Sequence, residues 1–211
     1  MSFRRQFIAA ILSTNLFGFS LRAESPTTAG PDSSLDIFAA LRSDPTRAVA
    51  YLKANYPHDV RATDCIRLIQ SLGQPCNFQF VALDGRKVDS RDYRGKVVLL
   101  DFWFKGCGGC MIAMPRIKAD AARYEGAGFV VVAVSMDRTS ADARDVVQWF
   151  ALPWPVAFEG KDASNGLDAR FCVMAAPWGV LIDRQGRLRH MGLFPGSVEA
   201  DHLIEALLAE K

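Results

Sequence analysis

From residue 75 onward, apolar positions follow strand-like and helix-like patterns in turn. Two runs, KVVLLDFWF over 96–104 and FVVVAVS over 129–135, are almost entirely apolar, which is typical of strands buried on both faces of a parallel sheet. The predicted elements are a strand over 77–83 that ends in a turn at Asp84-Gly85, strands over 96–104 and 129–135, helices over 111–124, 140–150 and 167–171, a hairpin of 179–183 with 187–193, and a helix over 197–210. This order predicts an α/β fold in which helices cover both faces of a mixed sheet whose last strand pair is antiparallel.

The residues before this region show helical spacing only. Helices are predicted over 35–41, 46–56 and 62–72. Asp44 is a predicted N-cap, and Pro45 follows it at the first helical position. We therefore expect a small helical extension over 35–73 and a separate α/β domain over 75–211. Residues 24–34 (ESPTTAGPDSS) have the Pro, Gly, Ser and Thr content of a flexible linker.

The first residues have the pattern of a secretory signal. Arg4 and Arg5 give a positive start, and the mostly apolar stretch over 7–21 is shorter than the roughly 20 residues of a transmembrane helix. A signal peptide over 1–23 predicts export, with a bacterial periplasm as the expected destination and the Sec or the twin-arginine pathway as the route. The alternative is an uncleaved segment that leaves the protein anchored in the membrane.

Composition excludes several classes of protein. Hydrophobic residues make up 50% of the 211 residues and the net charge is +2, so the chain is not disordered throughout. The 25 Lys and Arg residues are interspersed with 23 Asp and Glu residues, which argues against an electrostatic surface for nucleic acid. Five cysteines are too few for a fold built on disulfides, so their spacing is the informative feature.

Two of these cysteines form the sequence Cys107-Gly108-Gly109-Cys110 between a predicted strand and a predicted helix. A thiolate at a helix N-terminus faces unpaired backbone N–H groups and the positive end of the helix dipole, which lowers the pKa of the thiol. A spacing of nearly one helical turn brings both sulfurs within bonding reach. We predict an exposed, nucleophilic Cys107 and a more buried Cys110 that resolves the intermediate. The pair therefore predicts thiol–disulfide exchange.

A zinc site and a purely structural disulfide are the other roles open to such a pair. Zinc would need two further ligands, and the remaining candidates are isolated in the sequence. These candidates are Cys65, Cys76, Cys172, His58, His190 and His202. We therefore predict no metal. A structural bridge across so short a loop adds less stability than one across a long loop.

The other three cysteines allow two arrangements. Cys65 and Cys76 either form a second disulfide that pins the helical extension to the first strand, or remain two buried free thiols. Cys172 lies in an apolar stretch and is predicted to be a core cysteine without a redox partner.

Seven motifs follow one another in a characteristic order along residues of about 75–211. They are Leu83-Asp84-Gly85, Tyr93-Arg94-Gly95-Lys96, Val97 to Trp103, Cys107-Gly108-Gly109-Cys110, Met114-Pro115, Val131 to Asp137 and Ala176 to Asp183. Together they resemble thioredoxin-like proteins of the exported TlpA/ResA type. The resemblance implies a thioredoxin fold and a dithiol that cycles between reduced and disulfide forms. It also implies protein thiols or disulfides as substrates, a membrane-bound electron donor or acceptor, a monomer and no cofactor.

The same resemblance gives roles to five further residues. Pro177 falls where the family has a cis proline facing the dithiol, and the backbone of Ala176 pairs there with an extended substrate segment. Trp178 and Trp103 are the other predicted substrate contacts. Asp101 lies where thioredoxins have a buried acid that accepts or relays the proton of the inner cysteine.

Two departures from the family pattern lie beside the cysteines. The tryptophan that usually precedes the first cysteine is Gly106, and Gly108-Gly109 stands where Gly-Pro or Glu-Pro is common. Because this dipeptide affects thiolate stability, the direction of electron flow stays open.

Two other functions also stay open. A peroxiredoxin-like peroxidase shares the fold, but its nucleophile needs a threonine three residues earlier. Phe104 stands at that position for Cys107, and Cys107 stands there for Cys110. A non-enzymatic binding or assembly module would use the surface near Pro177 and Trp178 and would not need the cysteines.

Overall fold

The computed structural model describes residues 37–160 and 166–210. The predicted signal peptide (1–23) and linker (24–34) therefore lie outside the described residues, as does the start of the first predicted helix. Within the described ranges, no helix is both long and apolar enough to cross a membrane.

The helices and strands follow the predicted order closely. They are α1 (Ile37–Ser43), α2 (Pro45–Asn55), α3 (Val60–Gln70), β1 (Gln79–Val81), β2 (Lys87–Asp89), β3 (Val97–Trp103), α4 (Gly108–Tyr124), β4 (Phe129–Ser135), α5 (Ser140–Phe150), β5 (Val156–Phe158), α6 (Leu167–Arg170), β6 (Trp178–Ile182), β7 (Leu188–Leu193) and α7 (Val198–Ala209). The bounds of β4 and α5 are those predicted. The short strands β2 and β5 were not predicted, because three residues are too few to establish a period.

Five strands form the central sheet in the order β5-β4-β3-β6-β7. The β3–β4 and β4–β5 pairs are parallel, whereas β3–β6 and β6–β7 are antiparallel. Every residue of β3 is buried, because the strand is central and both of its faces are covered. Strands β1 and β2 form a separate hairpin. The mixed sheet with an antiparallel last pair is confirmed.

The N-terminal helices α1–α3 cover one face of this sheet. Leu100 and Phe102 of β3 pack in one apolar cluster with Leu41 of α1, Leu52 of α2 and Ile69 of α3. The predicted extension is thus a layer of the fold itself, and it contributes to the same core as the sheet.

Helices α4, α5 and α7 cover the opposite face. Leu99 and Trp103 of β3 pack there with Met114 of α4, Val146 of α5 and Ile204 of α7. Because side chains alternate along a strand, β3 sends odd-numbered residues to this face and even-numbered residues to the other.

A disulfide joins the helical layer to the rest of the fold, but its partners are not those predicted. Cys65 of α3 is bonded to Cys172, which follows α6, with a Cα–Cα distance of 5.2 Å and a sequence separation of 107 residues. The predicted Cys65–Cys76 bridge is therefore wrong, and so is a pair of free thiols at these positions; Cys76 alone is free, and it is buried. Cys172 is buried, as predicted, but bridged. The physical reason is that α3 packs against α6, a contact between segments far apart in sequence.

Candidate active site

The Cys107–Cys110 pair forms a disulfide at the N-terminus of α4, with a Cα–Cα distance of 5.2 Å. Cys107 is the N-cap residue of this 17-residue helix, and its Sγ accepts a hydrogen bond from the backbone N–H of Cys110 at 3.1 Å. The prediction that Cys107 is exposed is wrong for this oxidised form: its exposed fraction is 6%, against 2% for Cys110. Cys107 is still the more accessible of the two, because α4 covers Cys110 one turn further in.

The loop before Cys107 is fixed by backbone hydrogen bonds. The N–H of Cys107 donates to the carbonyl of Phe104 at 2.9 Å. The N–H of Lys105 donates to the carboxylate of Asp137 at 2.9 Å, and the Ser135 hydroxyl donates to the same carboxylate at 2.9 Å. Asp137, which is buried, therefore holds the segment that carries the first cysteine. This role could not be predicted from the sequence, where Asp137 only ends a motif of the family resemblance.

The side chain of Lys105 ties the same loop to α5. Its Nζ donates to Asp142 at 3.0 Å and to Asp145 at 2.8 Å, and it lies 5.0 Å from the ring centroid of Trp149. These hydrogen bonds raise the pKa of Lys105, so the lysine stays charged and paired near the dithiol.

The Ala176-Pro177 peptide bond is cis, as predicted. Pro177 faces the cysteine loop, since a Cβ placed on Gly109 would lie 3.4 Å from the proline Cδ. Ala176 is half-buried. The backbone of this residue is thus placed beside the disulfide, where the sequence analysis expected an extended client segment to pair.

A groove of about 800 Å³ runs beside the disulfide loop on the side of Ala176. Its lining includes Phe104, Met136, Met174 and Ala176, with Arg138 among its polar residues. The groove therefore combines apolar and charged side chains, and it reaches Gly106, the residue before Cys107.

Two predicted substrate contacts are wrong. Trp103 is fully buried, because it ends the central strand β3 and packs beneath α4 in the same cluster as the cysteines. Trp178 is 1% exposed, because β6 directs it to the opposite face of the sheet, where it packs with Phe171. Both side chains are therefore buried in the core, Trp103 beneath α4 and Trp178 on the other face of the sheet.

Asp101 lies at the centre of β3 on the face that α4 covers. Alternation along the strand places it with Leu99 and Trp103, which share a cluster with Cys110. Its exposed fraction is 1%, and Oδ2 has no hydrogen-bond partner within the described part of the chain. Burial raises the pKa of Asp101 to about 7. A carboxyl group that titrates near neutrality on this face is suited to exchanging a proton with the inner cysteine.

The buried carboxyl group of Asp101 should make the free energy of unfolding decrease as the pH rises. Because the pKa of Asp101 is about 7 in the folded protein and about 3.8 when exposed, the unfolded state ionises first as pH rises. Stability is therefore unaffected below about pH 4, falls through the interval up to about pH 7, and is then lower by about 4 kcal/mol. We expect Asp101→Asn to lack this decline in urea unfolding of the oxidised protein between pH 4 and 8. Asp92→Asn, at an exposed carboxylate, should retain it, and the same decline in Asp101→Asn would contradict the assignment.

The described residues contain no group of three or more His, Cys, Asp or Glu side chains arranged to hold a metal ion. The groups that the site brings together are its two sulfurs, the carboxyl group of Asp101 and the backbone near Pro177.

Known proteins share both the sequence and the fold of this region. The Redoxin family model matches residues 71–207. Thiol-disulfide oxidoreductase ResA of Bacillus thuringiensis subsp. konkukian is 30% identical over 112 residues, which are 53% of this chain and 63% of that protein. The thioredoxin-like protein YneN of Bacillus subtilis is 30% identical over 129 residues, or 59% of this chain and 73% of that protein. The match thus spans less than two thirds of the ResA relative's length.

Solved structures agree with these relatives. The thioredoxin domain of a thiol-disulfide oxidoreductase from Bacteroides vulgatus has a TM-score of 0.58 and 25% identity, and the match covers 65% of this chain and 97% of that one. A thiol:disulfide interchange protein from Bacteroides sp. has a TM-score of 0.56 and 25% identity, with 67% and 91% covered. The predicted thioredoxin fold and the resemblance to ResA-type proteins are both confirmed.

Proposed function

Since this chain belongs to the Redoxin family, we propose that it is a thiol–disulfide oxidoreductase that exchanges its Cys107–Cys110 disulfide with cysteines of client proteins. One observation carries the proposal: the two sulfurs are bonded at the N-terminus of α4, directly beside the cis proline Pro177. An exchangeable bond, helix N–H donors and a backbone segment able to pair with a client occur together at this place.

Exchange from the reduced form proceeds in two balanced steps. The Cys107 thiolate attacks a client disulfide, so that a Cys107–client bond forms and the client's other sulfur leaves as a thiolate. Cys110 then attacks the Cys107 sulfur, the Cys107–Cys110 bond forms, and the client's second thiolate leaves. Two electrons pass to the client, which is reduced. The same steps in reverse oxidise a client dithiol.

The structure favours Cys107 as the attacking sulfur. Its Sγ already accepts the N–H of Cys110 at 3.1 Å, and a hydrogen bond of this kind stabilises a thiolate more than a thiol. The N-cap position adds the positive end of the helix dipole. Cys110 lies deeper, so it meets the Cys107 sulfur more readily than a client.

Asp101 is suited to take the proton that Cys110 loses in the second step. A carboxylate near neutral pH accepts a proton from a thiol, and the protonated acid returns it when the disulfide is reduced. The pKa of about 7 places both forms within reach at physiological pH.

Equilibration with glutathione tests the activity. The Cys107–Cys110 pair is expected to give a single two-electron transition between dithiol and disulfide. The reduced fraction is measured in each glutathione mixture by thiol alkylation and mass spectrometry. A potential near about −270 mV would assign the protein as a reductant, and one near about −120 mV as an oxidant. A pair that does not cycle in any glutathione mixture contradicts the proposed function, including both directions of flow.

We further propose that the protein is exported and exchanges electrons with a membrane-bound partner. The signal pattern over 1–23 supports export, and so does the Cys65–Cys172 disulfide, since bridges of this kind persist in oxidising compartments. Alkaline phosphatase fused after residue 34 should be active in a bacterial host. Its recovery in the soluble periplasmic fraction would support cleavage, recovery with membranes would support the anchored form, and an inactive cytoplasmic fusion would overturn export.

A further inference from the structure

Two glycines beside the cysteines, Gly106 and Gly109, are each covered by a phenylalanine ring. A Cβ placed on Gly106 would lie 3.4 Å from Cε2 of Phe104. A Cβ placed on Gly109 would lie 3.7 Å from Cζ of Phe194. Aromatic rings from outside the Cys-x-x-Cys segment therefore occupy the space beside it on two sides.

The backbone of both phenylalanines is hydrogen-bonded, and their side chains are partly exposed to solvent. Phe104 is 37% exposed and Phe194 is 46% exposed. The Phe104 carbonyl accepts the N–H of Cys107 at 2.9 Å, and the Phe194 carbonyl accepts the N–H of Ser197 at 3.2 Å. Exposed apolar side chains grouped around a reactive bond, on a fixed backbone, are typical of a contact surface for another molecule.

Helix α4 also exposes an apolar side chain close in sequence to the disulfide. Ile112 is 80% exposed on α4, and it lies one turn beyond Gly108 on the same side of the helix. The charge of the nearby Lys105 is taken up by its ion pairs with Asp142 and Asp145. Exposed apolar side chains therefore border the disulfide loop, and among the described residues the unpaired charge near them is that of Arg138, which lines the groove.

We propose that Phe104 and Phe194 form an aromatic clamp that selects client cysteines with a large apolar residue two positions away in the client sequence. This inference rests on the proposed function and names the client chemistry of the same site. The occupant is an extended protein segment that carries the exchanging cysteine.

The geometry of a mixed disulfide determines which client side chains can contact the two rings. A client cysteine bonded to Cys107 has its Cα within about 5.5–6 Å of the Cys107 Cα. Residues of the extended client follow one another at about 3.3 Å, and their side chains alternate between its two faces. The side chains two residues before and two residues after the client cysteine therefore point to the same side as the cysteine, towards the rings beside Gly106 and Gly109. An apolar side chain is desolvated favourably against these rings, whereas the rings offer a carboxylate no hydrogen-bond donor.

Single-turnover reduction of two peptides tests the clamp. Each peptide contains one intramolecular disulfide and has either leucine or glutamate two positions from each cysteine. The protein is used with its Cys107–Cys110 pair reduced beforehand. The second-order rate constant is expected to be at least about tenfold larger for the leucine peptide, the range that one apolar contact gives. The Phe104→Ala/Phe194→Ala variant should reduce this ratio to about one, because both contacts are gone.

Single variants keep the test decisive should the double variant fold poorly. Phe194→Leu should retain most of the preference, and Phe194→Glu should instead favour a peptide with lysine two positions from each cysteine. Val60→Ala removes a 74% exposed apolar side chain on α3 and serves as the matched control that retains the wild-type ratio. No preference in the wild type, or an unchanged preference in the alanine variants, overturns the clamp. A protein that reduces neither peptide and does not cycle with glutathione instead overturns the proposed function.

Discussion

Replacing Cys107 by serine is expected to lower the rate of client-disulfide reduction by about a thousandfold or more, because a serine hydroxyl does not form the attacking thiolate at neutral pH. Cys110→Ser has a different outcome. Its Cys107 still attacks, but no second thiol resolves the bond, so a covalent Cys107–client complex accumulates. The rate is measured with a protein disulfide as substrate, and the complex is detected by non-reducing electrophoresis and mass spectrometry.

The matched control for this pair is Cys76→Ala. Cys76 is the free cysteine of the described residues, and burial raises the pKa of its thiol, which keeps it protonated. Its replacement should leave the rate unchanged. A Cys107→Ser variant that traps the client while Cys110→Ser does not would mean that the two sulfurs have the opposite roles. Substantial turnover by both serine variants would mean that the reaction uses other groups.

The second large effect concerns stability. Removing the bridge with Cys65→Ala/Cys172→Ala is expected to lower the free energy of unfolding by about 4 to 5 kcal/mol, because the disulfide closes a loop with a sequence separation of 107 residues. The Cys107–Cys110 bridge closes a loop with a separation of only 3 residues, so Cys107→Ser/Cys110→Ser should cost much less. Urea unfolding under non-reducing conditions measures both differences.

Removing the Cys65–Cys172 disulfide should also weaken the binding of clients at the active site. Cys172 begins the segment that leads through Met174 to the cis proline Pro177, and Met174 and Ala176 line the groove. Without the anchor at Cys172, this segment samples more conformations, so the KM for a protein client should rise more than kcat falls. An unfolding free energy within about 1 kcal/mol of wild type would show that helix packing alone holds the layer in place.

The central part of the fold could be predicted because its local pattern and its environment agree. The runs that became β3 and β4 are apolar at every position, and strands buried on both faces require this composition. The three-residue strands β2 and β5 could not be predicted, since each is defined by its partner strand and too short for a pattern of its own.

In the candidate active site, too, some residues could be predicted from local sequence and others could not. Cys107, Cys110 and Pro177 were found from a local motif and a family resemblance, and the structure brings them together. The partner of Cys65 was missed because it depends on how α3 packs against a distant helix. Phe194 was missed for a related reason: it reaches Gly109 from a turn after β7, and no local pattern marks such an approach.

Trp103 and Trp178 show the limit of assigning roles by neighbourhood in sequence. Each is adjacent to a residue of the site region, yet a strand turns successive side chains to opposite faces, and burial follows the face. The same alternation identifies Asp101 as a residue of the α4 side.

The helical layer changes where the catalytic unit begins. Expression of residues 75–211 alone would uncover the face of the sheet formed by Leu100 and Phe102 and would leave Cys172 as an unpaired thiol. Such a fragment would expose an apolar surface and a free thiol, so it would be prone to aggregate and to form intermolecular disulfides. A recombinant form of the protein should therefore start upstream of α1, so that it includes the three helices that cover this face of the sheet.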